Sequence, residues 1–187
     1  MKKNFLNNYY KKLTDLLFYN NSKLVFSQLK KISSKLLATR KKNKIIIIGN
    51  GGSAAIASHF AIDICKNTSL VCQCFNESSM ITCLANDFGY ENWTKKAIEY
   101  YGKKGDVLIA ISSSGKSKNI INACLEAKKK KFSCIITFSG FGSNNQLKKI
   151  GTINMWVDSK VYNIIENIHQ VWLLSIIDYI NKKNIKI

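Results

Sequence analysis

His59 and Asp63 stand four residues apart, shortly after the small-residue stretch Gly49-Asn50-Gly51-Gly52-Ser53. Positions i and i+4 share a helix face, so an imidazole and a carboxylate would project together, as an acid/base pair or as two ligands of a metal ion. Backbone N–H groups left free at a helix start hold anions, and residues such as Gly51 and Gly52 let a phosphate or sugar reach the main chain. Ser53 can cap the helix or bond the ligand. A second stretch, Ser112-Ser113-Ser114-Gly115-Lys116-Ser117, brings four hydroxyls, one glycine and a cation together. That donor set can satisfy several phosphate oxygens.

Both stretches need rigid elements behind them. Ile45–Ile48 is four isoleucines in a row, the pattern of a strand buried on both faces, and from Ala54 the residues favour helix, with Ile56, Phe60 and Ile64 on one stripe. Asp106–Ile111 is a second nearly all-apolar strand leading into the serine stretch, with a helix predicted over Asn119–Lys130. Further strands are predicted at Leu70–Phe75, Phe132–Phe138 and Thr152–Val157. Helices are predicted at Ser78–Asn86, Glu91–Tyr101, Asn144–Lys149 and Val161–Ile180. Strands alternating with helices mean βαβ units: one α/β domain, doubly wound around a parallel sheet. Such sheets bind ligands at the carboxyl ends of their strands, so the two stretches should converge on one crevice. Ahead of this unit, residues 3–40 read as a helical hairpin broken at Asn20-Asn21-Ser22, with Ser22 as the second helix's cap. Its apolar stripe points to packing against another subunit. The division is therefore a helical oligomerisation segment over residues 1–41 and a domain that binds a phosphate or sugar over 42–187.

Composition narrows the function classes. The 187-residue chain carries a net charge of +18 with 46% hydrophobic residues, which fits one domain with a full core. Lysines are spread along the chain, and only Lys128–Lys131 forms a run, at a predicted helix end where cations suit the dipole. The charge therefore reads as solvated faces that attract anionic substrates rather than as a nucleic-acid surface. No apolar run approaches the roughly 20 residues of a membrane span, and the first residues lack a signal-peptide core, so a cytoplasmic protein is expected. The six cysteines lack paired metal spacing and lie in apolar segments, where buried reduced thiols are expected; Cys72-x-Cys74 on a strand puts two thiols on one face. Gly49-x-Gly51-x-x-Ala54, with Glu77 beyond the next strand, fits a relaxed dinucleotide fingerprint. The serine stretch would obstruct that cofactor, so no nucleotide cofactor is expected.

GNGGSAAIASHFAIDI, ITCLANDFGY, GDVLIAISSSGKSKNIINA and YNIIENIHQVWLL together resemble the sugar isomerase (SIS) domain family, in its phosphoheptose isomerase branch. The resemblance runs from about Asn43 to Ile180. It implies a three-layer sandwich with a five-stranded parallel sheet, a homotetramer, and phosphosugar sites shared between subunits. It assigns the phosphate to Ser112, Ser113, Ser114 and Ser117, and sugar contacts to Ser53 and Asp87 beside Asn50, Gly51 and Gly52. In that branch a histidine and glutamate on the first helix and a glutamine and histidine on the last bind zinc and move protons. Here His59 matches the first, Asp63 replaces the glutamate and Glu166 the glutamine. Leu174 falls where the last histidine belongs.

Leucine can neither ligate zinc nor carry a proton. Asp63 or Glu166 remains as the base, with His59 polarising the carbonyl or joining Asp63, Glu166 and His169 around a zinc ion. The resemblance thus implies an aldose–ketose isomerase converting sedoheptulose 7-phosphate to a heptose 7-phosphate for surface polysaccharide. The alternative is a non-catalytic SIS module, a sugar-phosphate sensor or a protein-binding scaffold.

Overall fold

The computed structural model describes residues 4–19, 22–39 and 42–184. Helix α1 (Phe5–Thr14) passes through a π-helical turn at Asp15–Tyr19, and α2 spans Ser22–Leu37. The break expected at Asn20-Asn21 and the boundary expected at residue 41 lie outside the described residues. The main unit then runs β1 (Ile45–Ile48), α3 (Gly52–Asn67), β2 (Cys72–Cys74), α4 (Ser78–Phe88), α5 (Trp93–Tyr101), β3 (Val107–Ser112), α6 (Lys118–Lys129), β4 (Cys134–Ser139), α7 (Gln146–Ile150), β5 (Ile153–Trp156) and α8 (Tyr162–Ile180).

The five strands are all parallel, in the order β2-β1-β3-β4-β5. Side chains alternate across a strand, and the isoleucine run shows what that does here. Ile45 and Ile47 pack with α3, α8 and the buried Ile32 and Leu36 of α2, whereas Ile46 and Ile48 pack with α4, α5 and α6. Val107, Ile109 and Ile111 divide from Leu108 and Ala110 in the same way. Each such side chain removed from water contributes about 1.5–3 kcal/mol, so the sheet centre anchors both helical layers. The expected sandwich is present, and α2 shares its first core rather than standing apart. No helix among the described residues is long and apolar enough to cross a membrane.

Two expectations change. Strand β2 is three residues long, because it is an edge strand with one partner. Of the six cysteines, only Cys124 and Cys134 are buried, while Cys65 and Cys83 are exposed. All six are free thiols.

The end of the sheet away from the crevice is held by one buried carboxylate. Asp106 accepts hydrogen bonds from Asn43 Nδ2 (3.0 Å), the Lys44 amide (3.1 Å) and the Lys103 amide (3.0 Å), with Lys44 Nζ at 3.1 Å. Burial alone would raise its pKa, but these bonds together outweigh burial and hold it below the usual value. A depressed carboxylate stabilises the fold above its unfolded pKa, near 4, and that share is lost as pH falls through the lower folded value. Asp106→Ala should lower stability by about 3 kcal/mol, read from urea midpoints at pH 7, because it leaves several buried donors unpaired. Its deficit should shrink towards pH 2.

Candidate functional site

The strand order reverses direction between β1 and β3, which lie side by side from Ile45↔Val107 to Ile48↔Ala110. From there α3 enters the layer on one face of the sheet and α6 the layer on the other. The divergence opens a crevice at the carboxyl ends of the strands, walled by the loops that the sequence singles out.

The two loops are fastened to each other by a pair of amides. Asn50 Nδ2 donates to Asn119 Oδ1 at 2.9 Å, and Asn119 Nδ2 donates back to Asn50 Oδ1 at 2.8 Å. Tyr90 Oη donates to the same Asn50 oxygen at 3.4 Å. Asn119 is buried, with its carbonyl accepting from Thr94 Oγ1 at 2.6 Å. Asn119 was legible as a helix start but not as the partner of Asn50, since 69 residues separate them. Asn145 is a second connector missed by the sequence reading. Its Nδ2 donates to Ser139 Oγ and the Gly142 carbonyl, both at 3.0 Å, while its Oδ1 accepts from the Lys148 amide. A Cβ on Gly115, whose φ is +66°, would strike the Asn145 side chain, so only glycine lets the serine loop lie against it.

Within the serine loop, Ser112 and Ser113 are buried, and Ser112 Oγ lies 2.9 Å from Ser117 Oγ. Ser114 Oγ accepts from the Lys116 amide at 3.2 Å. Ser117 is the N-cap of α6, but no side chain caps that helix start. Its first N–H groups thus share the loop with four hydroxyls, a donor arrangement suited to an anion. Across the crevice, α3 begins at Gly52, two residues before the expected Ala54, again without a side-chain cap. Ser53 is buried beneath it.

Glu166 projects from α8 into this space. Its carboxylate lies so close to Gly52 that a Cβ there would collide with it, and Ser113 Oγ donates to Oε1 at 3.5 Å. A concavity of about 380 Å³ is lined by Gly52, His59 and Glu166 among others. His59 Nε2 lies 3.2 Å from Asp63 Oδ2 on the half-exposed face of α3. The i,i+4 pairing holds as expected, with Asp63 one turn farther from the loop. Asp87 does not join this group: it is exposed at the end of α4, bonded to Asn86.

Among the described residues, no three His, Cys, Asp or Glu side chains stand close enough to hold a metal ion together. The set expected at His59, Asp63 and Glu166 is therefore not gathered within one protomer. Asp63 is turned to His59, and Glu166 to Gly52 and Ser113. His169 is elsewhere altogether. It is fully buried, with Nε2 3.2 Å from the Ser139 carbonyl and its ring edge-on to Phe138 at 5.6 Å. A carbonyl only accepts, so Nε2 carries the proton and Nδ1 is a buried acceptor without a hydrogen bond. Burial pulls its pKa down to about 4. His169 is thus a neutral anchor of α8 on β4 inside the protomer. Leu174 packs against the same core.

Two outcomes follow from this geometry. The unfolded chain protonates His169 near pH 6.5, whereas the folded chain resists until about 4. Stability should therefore be full above pH 6.5 and fall between 6.5 and 4, by at most about 1.4 kcal/mol per pH unit. His169→Gln should flatten that slope in urea titrations. Asn119→Ala should leave Asn50 unpaired, cost about 1–3 kcal/mol in thermal or urea unfolding, and weaken anion binding by loosening the two loops.

Comparisons with known proteins agree with the fold. The SIS domain family model matches residues 8–139. A probable phosphoheptose isomerase of Thermoplasma acidophilum is 39% identical over 147 residues, covering 74% of this chain and 77% of that protein. The solved phosphoheptose isomerase of Francisella tularensis superposes with a TM-score of 0.88 at 22% identity, over 97% of this chain and 99% of that one. That of Neisseria gonorrhoeae gives 0.83 at 24% identity, over 94% of both chains.

Proposed function

This chain belongs to the SIS domain family, in its phosphoheptose isomerase branch, and from that premise we propose that it is a phosphosugar aldose–ketose isomerase acting on sedoheptulose 7-phosphate. The observation that carries the reading is the position of Glu166 between the two uncapped helix starts, beside Gly52 and Ser113. A phosphate on the Ser112–Ser117 loop would leave the sugar's carbonyl end to reach towards Glu166 and His59.

Interconverting the two sugars requires a base to take a proton from the carbon beside the carbonyl. It also requires an acid to stabilise the enediolate oxygen. Glu166 is the better placed carboxylate, since it lies against Gly52 and Ser113 and shares a concavity with His59 that Asp63 does not line. The Asp63 carboxylate stands 3.2 Å from His59 Nε2 and so steadies the imidazole, which supplies the proton to the carbonyl oxygen. Glu166 then returns its proton to the neighbouring carbon, while His59 recovers a proton from the hydroxyl that becomes the new carbonyl. The chain acts in this reading as a cytoplasmic homotetramer, using the exposed apolar side chains of α1 (Phe5, Leu6 and Tyr10) as contact surface. A binding-only module is the second reading, favoured by Leu174.

Incubation with sedoheptulose 7-phosphate in heavy water, followed by NMR, separates the two. Deuterium beside the carbonyl and appearance of the aldose phosphate are expected. Binding without exchange would replace the enzyme by a sensor. Glu166→Gln should lower kcat by about 10²–10⁴-fold with ligand still bound. Asp63→Asn should lower kcat less, and Ser114→Ala should mainly raise KM.

A further inference from the structure

Three thiols gather where the last turns of α3 meet the edge strand β2. Cys65, Cys72 and Cys74 line one open concavity, with Ser58 and Asn76 among its other residues. The isomerase reading uses none of them. Their contacts divide them sharply. Cys65 Sγ accepts from the Cys72 amide at 3.2 Å and lies 3.6 Å from the Cys72 carbonyl oxygen. Adding one N–Cα bond of about 1.5 Å, the Cys72 Cα is within about 4.7 Å of that sulfur. Cys74 is engaged elsewhere: its Sγ lies 3.8 Å from Ser58 Oγ, and Ser58 is held by Asn76 Nδ2 at 2.9 Å. Ser58 precedes Cys65 by seven residues on one helix, which is about 10 Å along its axis. The nearest sulfur partner for Cys65 is therefore Cys72.

We propose that Cys65 and Cys72 form an oxidisable dithiol, which a peroxide converts to a disulfide tying the last turn of α3 to β2. Cys65 is the exposed member and meets the oxidant first. Its sulfur takes one oxygen from the peroxide as the O–O bond breaks, leaving a sulfenic acid and one water. The Cys72 sulfur then attacks that sulfur, the S–O bond breaks, and the second water departs with the Cys72 thiol proton. Two thiols lose two electrons in all, and hydrogen peroxide is reduced to two waters. Burial raises the Cys72 thiol well above its ordinary value, with the neighbouring Cys65 and Cys74 adding to the rise, which fits its place as the second, resolving sulfur. The Cys65 sulfur already rests on the Cys72 backbone, which brings the two thiols within side-chain reach of a bond.

The test is treatment of the full-length protein with hydrogen peroxide, alkylation of remaining thiols, tryptic digestion and mass spectrometry. A cross-link is expected between the peptides 45–66 and 67–95, with fragmentation placing it at Cys65 and Cys72. The link should vanish in Cys65→Ser and in Cys72→Ser and persist in Cys74→Ser. The oxidised wild type should melt several degrees higher than the reduced protein, and a thiol reductant should reverse the shift. A link through Cys74 or Cys83, a dimer joined between chains, or Cys65 oxidised without any cross-link would overturn the proposal. Circular dichroism of each variant identifies a loss of the link caused by misfolding, and Cys65→Ala, at an exposed position, supplies a second chain for the same reading.

Discussion

The reciprocal amide pair between Asn50 and Asn119 is the constraint on which the rest of the crevice depends. Parallel strands β1 and β3 end side by side, but their chains leave for opposite faces of the sheet, so nothing in the sheet itself keeps the two loops together. Two complementary amides, one of them buried, do so at the point of divergence. In a low-dielectric setting an unpaired amide is costly, so the pair favours one relative placement of the loops. With that placement set, α3 and α6 present their uncapped starts to a shared space, and Glu166 meets Gly52.

Helix α8 shows how a single element can serve two chemistries through its two sides. Glu166 and His169 are three residues apart, close enough in sequence to be read as partners around one ion. In the fold, His169 turns to the Ser139 carbonyl and Phe138, whereas Glu166 turns to Ser113 and Gly52. The rotation between them is enough to put one in a dry core and the other in a crevice. The neutral imidazole fixes the helix on β4, and the carboxylate takes its position from that fixing.

The sheet was legible because its signal is local. Four isoleucines, the Val107–Ile111 run and the turn residues after them each identify a buried strand and its end without reference to distant parts of the chain. The two loops were legible for the same reason. What escaped were pairings across long sequence separations: Asn119 with Asn50, Asn145 with Gly115, Glu166 with Gly52. Nothing in the identity of an asparagine says which distant backbone or amide it will satisfy. The cysteines misled for a related reason, since apolar neighbours in sequence do not fix which side of a helix faces solvent, and Cys65 lies exposed beside the edge strand.

The web around Asn145 has a further meaning for how the crevice meets a guest. Its amide already joins the ends of β4 and the start of α7, while Gly115 rests against it. A wall assembled in advance surrenders little disorder when it is occupied. Entry of an anion is then governed by stripping water from the hydroxyls and the helix starts, not by folding a loop around the guest. In a chain with a surplus of eighteen positive charges, that arrangement makes capture a matter of diffusion under a long-range field, quick in dilute salt and slower as ions screen it.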